Sequence, residues 1–216
     1  MRENAGSVVT VMVAKSGDPT PDGAAPIPDS SPPSRQTQTI PVSGIGHKQL
    51  VTLYRYWHGK LQGRDMPRRA DIDPTEIPGA IWPHTMILEV VRQDGAIRFR
   101  YRRVGEVFWR ALGREPTGKF VDEVLPDTAG YRDYVVGIYR EMVERRRPMY
   151  TENCFTLHGQ SVPMWNKRVS LPLSGDGGIV GTILAGHVFE YPRDDDHAFP
   201  QVNGLQEGIR AVIEEP

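Results

Sequence analysis

Three carboxylates, Asp71, Asp73 and Glu76, lie close together in the chain, and such a set can hold a cation or divide acid and base roles among its members. Their spacing has a simpler explanation. Asp73 stands before Pro74 with Glu76 three residues on, which is a helix-capping pattern, and neither a nucleophile nor a glycine-rich phosphate loop accompanies them. His84, His158 and His187 are widely separated on strand-like segments without metal-ligand spacing, so they read as surface or hydrogen-bonded histidines. Cys154 is the only cysteine, which excludes an internal disulfide and any multi-cysteine metal site within one chain, and fits a reducing cytoplasm. Arg98, Arg100 and Arg102 alternate with Ile97, Phe99 and Tyr101. This resembles a basic, aromatic nucleic-acid platform, but period-two alternation is what a half-buried strand requires, and no RNA-binding motif accompanies it.

Two cations fall in apolar register. If Ile97, Phe99 and Tyr101 face a helical layer, strand alternation points Arg103 the same way, and an inward Trp165, Val169 and Leu171 carry Lys167 with them. An unpaired buried cation costs too much to persist. Each must therefore reach an edge, pair with a carboxylate such as Glu89, Glu106 or Asp122, or meet an anionic ligand.

The elements that position these residues follow from periodicity and punctuation. Residues 1–45 are rich in Pro, Ser, Thr and Gly and hold no aromatic, so they read as a disordered tail. From His47, Leu50, Leu53, Tyr54, Trp57 and Leu61 recur at helical spacing until Gly63. Residues 84–91 and 97–105, joined at Asp94-Gly95, predict a β-hairpin. Residues 106–113 and 119–126 predict short helical turns, and a longer helix runs over 128–147 with Tyr131, Val135, Ile138, Tyr139 and Met142 on one side. Strand-like segments follow at 149–159, 162–173 and 179–191, and Leu205, Ile209, Val212 and Ile213 predict a C-terminal amphipathic helix. Two strands, a run of helices and three strands argue for an α+β domain: a five-stranded antiparallel sheet with helices on one face, plus N- and C-terminal amphipathic helices. The domain spans 46–192, and 193–216 form a linker and the last helix.

The formal charge of −1 gives no polyanion-binding footprint, and the apolar run from Val8 to Ala14 is too short to span a membrane. No nucleic acid, no membrane insertion and a cytoplasmic location are expected.

The segments RYWHG (55–59), MPRRADIDPTEIPGAIWP (66–83), FRYRRVG (99–105), GREPTGKFVDEVLP (113–126), RRRP (145–148) and LPLSGDG (171–177) resemble the alphaproteobacterial PAS domain family labelled PAS_5. The resemblance covers about residues 50–190. It implies a PAS fold, a sensory or regulatory role in bacterial signal transduction and no shared catalytic residue. It implies no particular ligand. Arg103, where an apolar residue is more usual, and Glu106, where a small polar one is common, depart from that pattern. Asn153-Cys154 is similar to the reactive core of flavin-binding LOV domains, but that motif precedes the long helix, whereas this one opens a strand after it. Haem-binding PAS domains use a histidine on or near the long helix, and residues 128–148 contain none.

The resulting expectation is a non-enzymatic sensory or regulatory module that binds a small molecule, a protein partner, or both. An enzyme using the PAS cavity and a ligand-free scaffold are the alternatives. The expected ligand-facing residues are Tyr101, Arg103, Phe108, Trp109, Tyr134, Ile138, Phe155, Trp165, Lys167 and His187, with no catalytic residue, no metal and no cofactor named by the sequence. The two cations suggest an anionic small molecule. The apolar stripes of the terminal helices suggest a homodimer or a signalling partner.

Overall fold

The computed structural model describes residues 36–127, 130–155, 164–175, 178–191 and 205–215. Residues 1–35, most of the segment read as a tail, lie outside these, as do His158 and the 193–196 break.

Strand β1 (Gln38–Pro41) leads through a 3-10 turn to helix α1 (Lys48–Gly59), whose first turn is capped by His47 Nδ1 accepting from Gln49 N. After a long irregular segment come β2 (Thr85–Gln93) and β3 (Ala96–Val104), then the short helices α2 (Glu106–Leu112) and α3 (Val121–Val124). Helix α4 (Tyr131–Arg145) is followed by β4 (Met149–Phe155), β5 (Met164–Ser174), β6 (Val180–Glu190) and β7 (Leu205–Glu214). The β2–β3 turn has Asp94 and Gly95 at φ +51° and +76°, the left-handed pair that a two-residue hairpin demands. Asp73 caps a turn rather than a helix, its carboxylate accepting from Thr75 N and Oγ1.

The strands form one sheet in the order β1-β7-β4-β5-β6-β2-β3. The five expected strands are contiguous within it, and the α+β, PAS-like class holds with two strands added. One addition corrects the expected C-terminal helix. Residues 205–214 pair antiparallel with β4, and β1, inside the segment read as tail, pairs parallel with β7. The register of β7 shifts between Ile209 and Glu207, opposite Glu152 and Asn153, so its apolar residues fall at a spacing that mimics a helix.

The helices do not gather on one face. α2, α3 and α4 cover one side, packing Phe108, Val121, Val135, Tyr139 and Met142 against Met86, Leu88, Phe99, Tyr101 and Ile183. α1 covers the other, seating Leu50, Leu53, Tyr54 and Trp57 on Ile87, Val169, Leu171 and Leu184. Trp57 Nε1 donates to Pro172 O at 2.9 Å in this second layer. Both terminal apolar stripes are thus covered within the chain, which removes the reason for reading them as a dimer interface. No helix among the described residues is long and apolar enough to cross a membrane.

Candidate functional site

β5 is the middle strand of the sheet, and its alternate residues Asn166, Arg168 and Ser170 point toward α4. Arg168 pairs across the sheet with Thr151 on β4 and His187 on β6, while Asn166 pairs with Asn153. All five of these neighbours and Arg168 itself are buried, Arg168 to 1% exposure. Its guanidinium lies 5.5 Å from the ring centre of Tyr139. Arg168 Nε and Nη1, Asn153 Oδ1 and Nδ2, Asn166 Nδ2, Thr151 Oγ1, Ser170 Oγ, Tyr134 OH and His187 Nε2 are buried without a hydrogen-bond partner.

Among the described residues, no carboxylate neutralises Arg168 in this layer. An arginine does not shed its proton in the physiological range. Burial raises the pKa of Tyr101, Tyr131, Tyr134 and Tyr139, that of Tyr131 to about 12, so these tyrosines offer dipoles rather than charge. Burial, assisted by Arg168 and His84, holds His187 well below its ordinary 6.5. The neutral imidazole meets Asn166 Oδ1 through Nδ1 at 3.1 Å. On the same side, Glu141 and Glu207 are engaged by Arg210, which also stacks on Tyr134.

The neutral His187 gives one testable consequence. Below pH 6.5 the unfolded chain takes up a proton here that the folded chain refuses, so stability falls as pH falls, by about 1.4 kcal/mol per pH unit for this one group. The stability difference between wild type and His187→Gln should therefore move in the variant's favour between about pH 7 and 5 in urea titrations. Parallel pH dependences would mean that the folded state also carries the proton.

Of the residues expected to face a ligand, Tyr101, Phe108, Tyr134, Phe155 and His187 are gathered in the layer on the α4 side, and Ile138 is a buried residue of α4. Phe108 lies 5.1 Å from His187, and Phe155 stacks on Tyr131 at 4.4 Å. Trp109 is only partly buried, on α2.

The other three are corrected by the pleat. The β2–β3 register shifts at Ile87/Leu88, so Arg103 pairs with Ile87 on the α1 side instead of following Tyr101. There it lies 3.2 Å from the centre of the Trp82 ring and donates to Thr85 O at 2.9 Å. Lys167 and Trp165 share the face of Val169 and Leu171, as alternation demands, but that face belongs to α1. Lys167 is paired there with Glu190 at 2.9 Å. Arg168, one residue on, was missed because both faces of β5 are covered and parity alone does not say which faces α4. The alternation of Asn166, Arg168 and Ser170 in a central strand was the available signal.

The other chemistry-bearing residues resolve simply. Arg98 is bound by Asp122 and Glu123, and Arg102 by Glu89, so the alternating arginines are engaged within the chain. Cys154 is buried on the face opposite Arg168, and burial pushes its thiol up. No group of metal-ligating side chains occurs among the described residues.

Residues 45–123, from the lead into α1 through most of α3, match the family model PAS_5, described as a PAS domain. Over that segment the chain carries a PAS domain match. No curated protein matches the chain. Solved structures similar to it include a light-oxygen-voltage domain studied with a flavin analogue, at 18% identity over 53% of this chain and 82% of that one, TM-score 0.35. The PAS domain of the fruit-fly ELK potassium channel matches at 16% identity over 57% and 94%, TM-score 0.36. A cysteine-to-serine mutant of Vivid matches at 14% over 63% and 98%, TM-score 0.38.

Proposed function

We propose that this protein is a non-enzymatic sensory or regulatory module that binds a small molecule between the sheet and α4 and passes its state to a protein partner. The observation that carries this reading is Arg168, fully buried without a counter-charge among the described residues and ringed by polar groups that lack partners. Buried polar atoms are normally satisfied, and an unmet cluster calls for a water, an ion or a ligand. A ligand seated here contacts β4, β5, β6 and α4 together, which lets occupancy bias the packing of the helix.

Native mass spectrometry of the freshly purified full chain tests this reading. A small-molecule adduct that is lost on unfolding, with slower hydrogen exchange in α4 while it is bound, is the expected result. A bare mass whose α4 exchange is unchanged by refolding would count against the module having a ligand.

A further inference from the structure

Resting on that reading, we infer that the ligand is a singly charged organic carboxylate bearing neutral hydroxyl, carbonyl or amide groups, held by Arg168 through its charge and by the surrounding amides and hydroxyls through hydrogen bonds. The charge match comes from counting the fully buried charges in the layer, the Glu141, Glu207 and Arg210 cluster being partly exposed. Arg168 is the one cation among the described buried residues, and the tyrosines and His187 around it are neutral. One monoanion neutralises that site. A phosphate dianion or a dicarboxylate leaves an uncompensated negative charge in the same low-dielectric setting, which is as costly as the charge it replaces.

The neutral requirement comes from the remaining atoms. Asn153 presents both an unmet donor and an unmet acceptor, Asn166 Nδ2 presents a donor, and Ser170, Thr151 and Tyr134 present hydroxyls that can play either role. With His187 Nδ1 donating to Asn166 Oδ1, Nε2 is left as an acceptor, so the ligand must also donate. A bare halide satisfies the guanidinium and leaves all of these unmet. Asn153, Thr151, Asn166, Ser170 and His187 lie on three adjacent strands and face Tyr134 on α4.

The test has two arms. In the first, the occupant released from the purified full chain is identified by accurate mass. In the second, chain refolded free of bound molecules in chloride-free buffer is titrated calorimetrically with L-lactate and D-gluconate, with L-lactamide and sorbitol as uncharged counterparts, and with phosphate and chloride. The inference expects a hydroxylated monocarboxylic acid as the occupant, and heat from the carboxylates that their uncharged counterparts do not give. Arg168→Gln should weaken carboxylate binding by about 10–100-fold while keeping a cooperative melt. Arg168→Lys, which retains the charge, should bind at an intermediate level, and it serves as the comparison if the glutamine variant fails to fold.

A neutral occupant, or one that Arg168→Gln retains at full affinity, overturns the carboxylate assignment and leaves the sensory reading intact. Tighter binding of phosphate than of either carboxylate overturns the charge match, and chloride alone reproducing the carboxylate heat reduces the site to an inorganic anion site. No occupant together with no heat from any probe removes both the assignment and the reading beneath it.

Discussion

Gly105→Ala is expected to destabilise the protein by about 3 kcal/mol or more, the upper end of the range for overpacked sites. Gly105 joins β3 to α2 at an ordinary φ of −70°, so its importance is not conformational freedom. It is space. A Cβ built there falls 2.1 Å from Pro83 O and 2.8 Å from Thr85 O, and both are main-chain atoms that no rotamer change can move. The approach is fixed by the hydrogen bond from Gly105 N to Thr85 O at 2.8 Å and by the 3-10 turn over Trp82–His84, which packs against α2. Relieving the overlap must either break that bond or lift α2, and with it Phe108, from His187 and Tyr101. For a domain of this size the loss corresponds to a fall in melting temperature of about 6–12 °C. An unchanged melting temperature would show that α2 is not held where the structure places it.

Arg168→Met is expected to act in the opposite direction on ligand-free protein, raising its stability by roughly 1–4 kcal/mol. Three contributions compete. Burial of the guanidinium costs several kcal/mol even after relaxation. The contact with the Tyr139 ring returns about 2 kcal/mol in a desolvated setting. Methionine fills most of the same volume and adds apolar burial. The first contribution exceeds the second because no carboxylate is paired with Arg168 among the described residues and two of its nitrogens have no partner. The stabilisation should vanish, or reverse, when the wild-type chain is measured with its ligand bound, since ligand binding adds stability only to the form that binds it. A less stable variant in ligand-free conditions would show that the guanidinium is satisfied within the fold.

The two predictions draw on parts of the sequence that were unequally legible. The hairpin at Asp94-Gly95, α1 with its aromatic stripe and α4 with Tyr131, Val135, Ile138, Tyr139 and Met142 could all be read from local pattern, because turn chemistry and helical period are local properties. β7 could not. Leu205, Ile209, Val212 and Ile213 have helical spacing, yet Ile209 and Ile213 lie against the α1 layer while Leu205 and Val212 lie against the α4 layer, a division that a register shift in a strand covered on both faces produces. The idea of a buried cation in apolar register was legible, but its address was not. The β-bulge diverts Arg103 to stack on Trp82, and Lys167 is on the α1 side paired with Glu190. The residue that remains buried without a counter-ion among the described residues is Arg168, whose orientation depends on long-range pairing with Thr151 and His187. Gly105 carries no signal of its close approach in the sequence, since the atoms that it would strike belong to a turn two elements away.

Whether Arg168 faces a ligand is tested most directly by a high-resolution crystal structure of the protein purified without dialysis. The prediction is electron density for a small organic anion within hydrogen-bond distance of Arg168 Nε and Nη1 and of Asn153, Asn166 or Ser170. A carboxylate side chain of the protein's own occupying that position would contradict it.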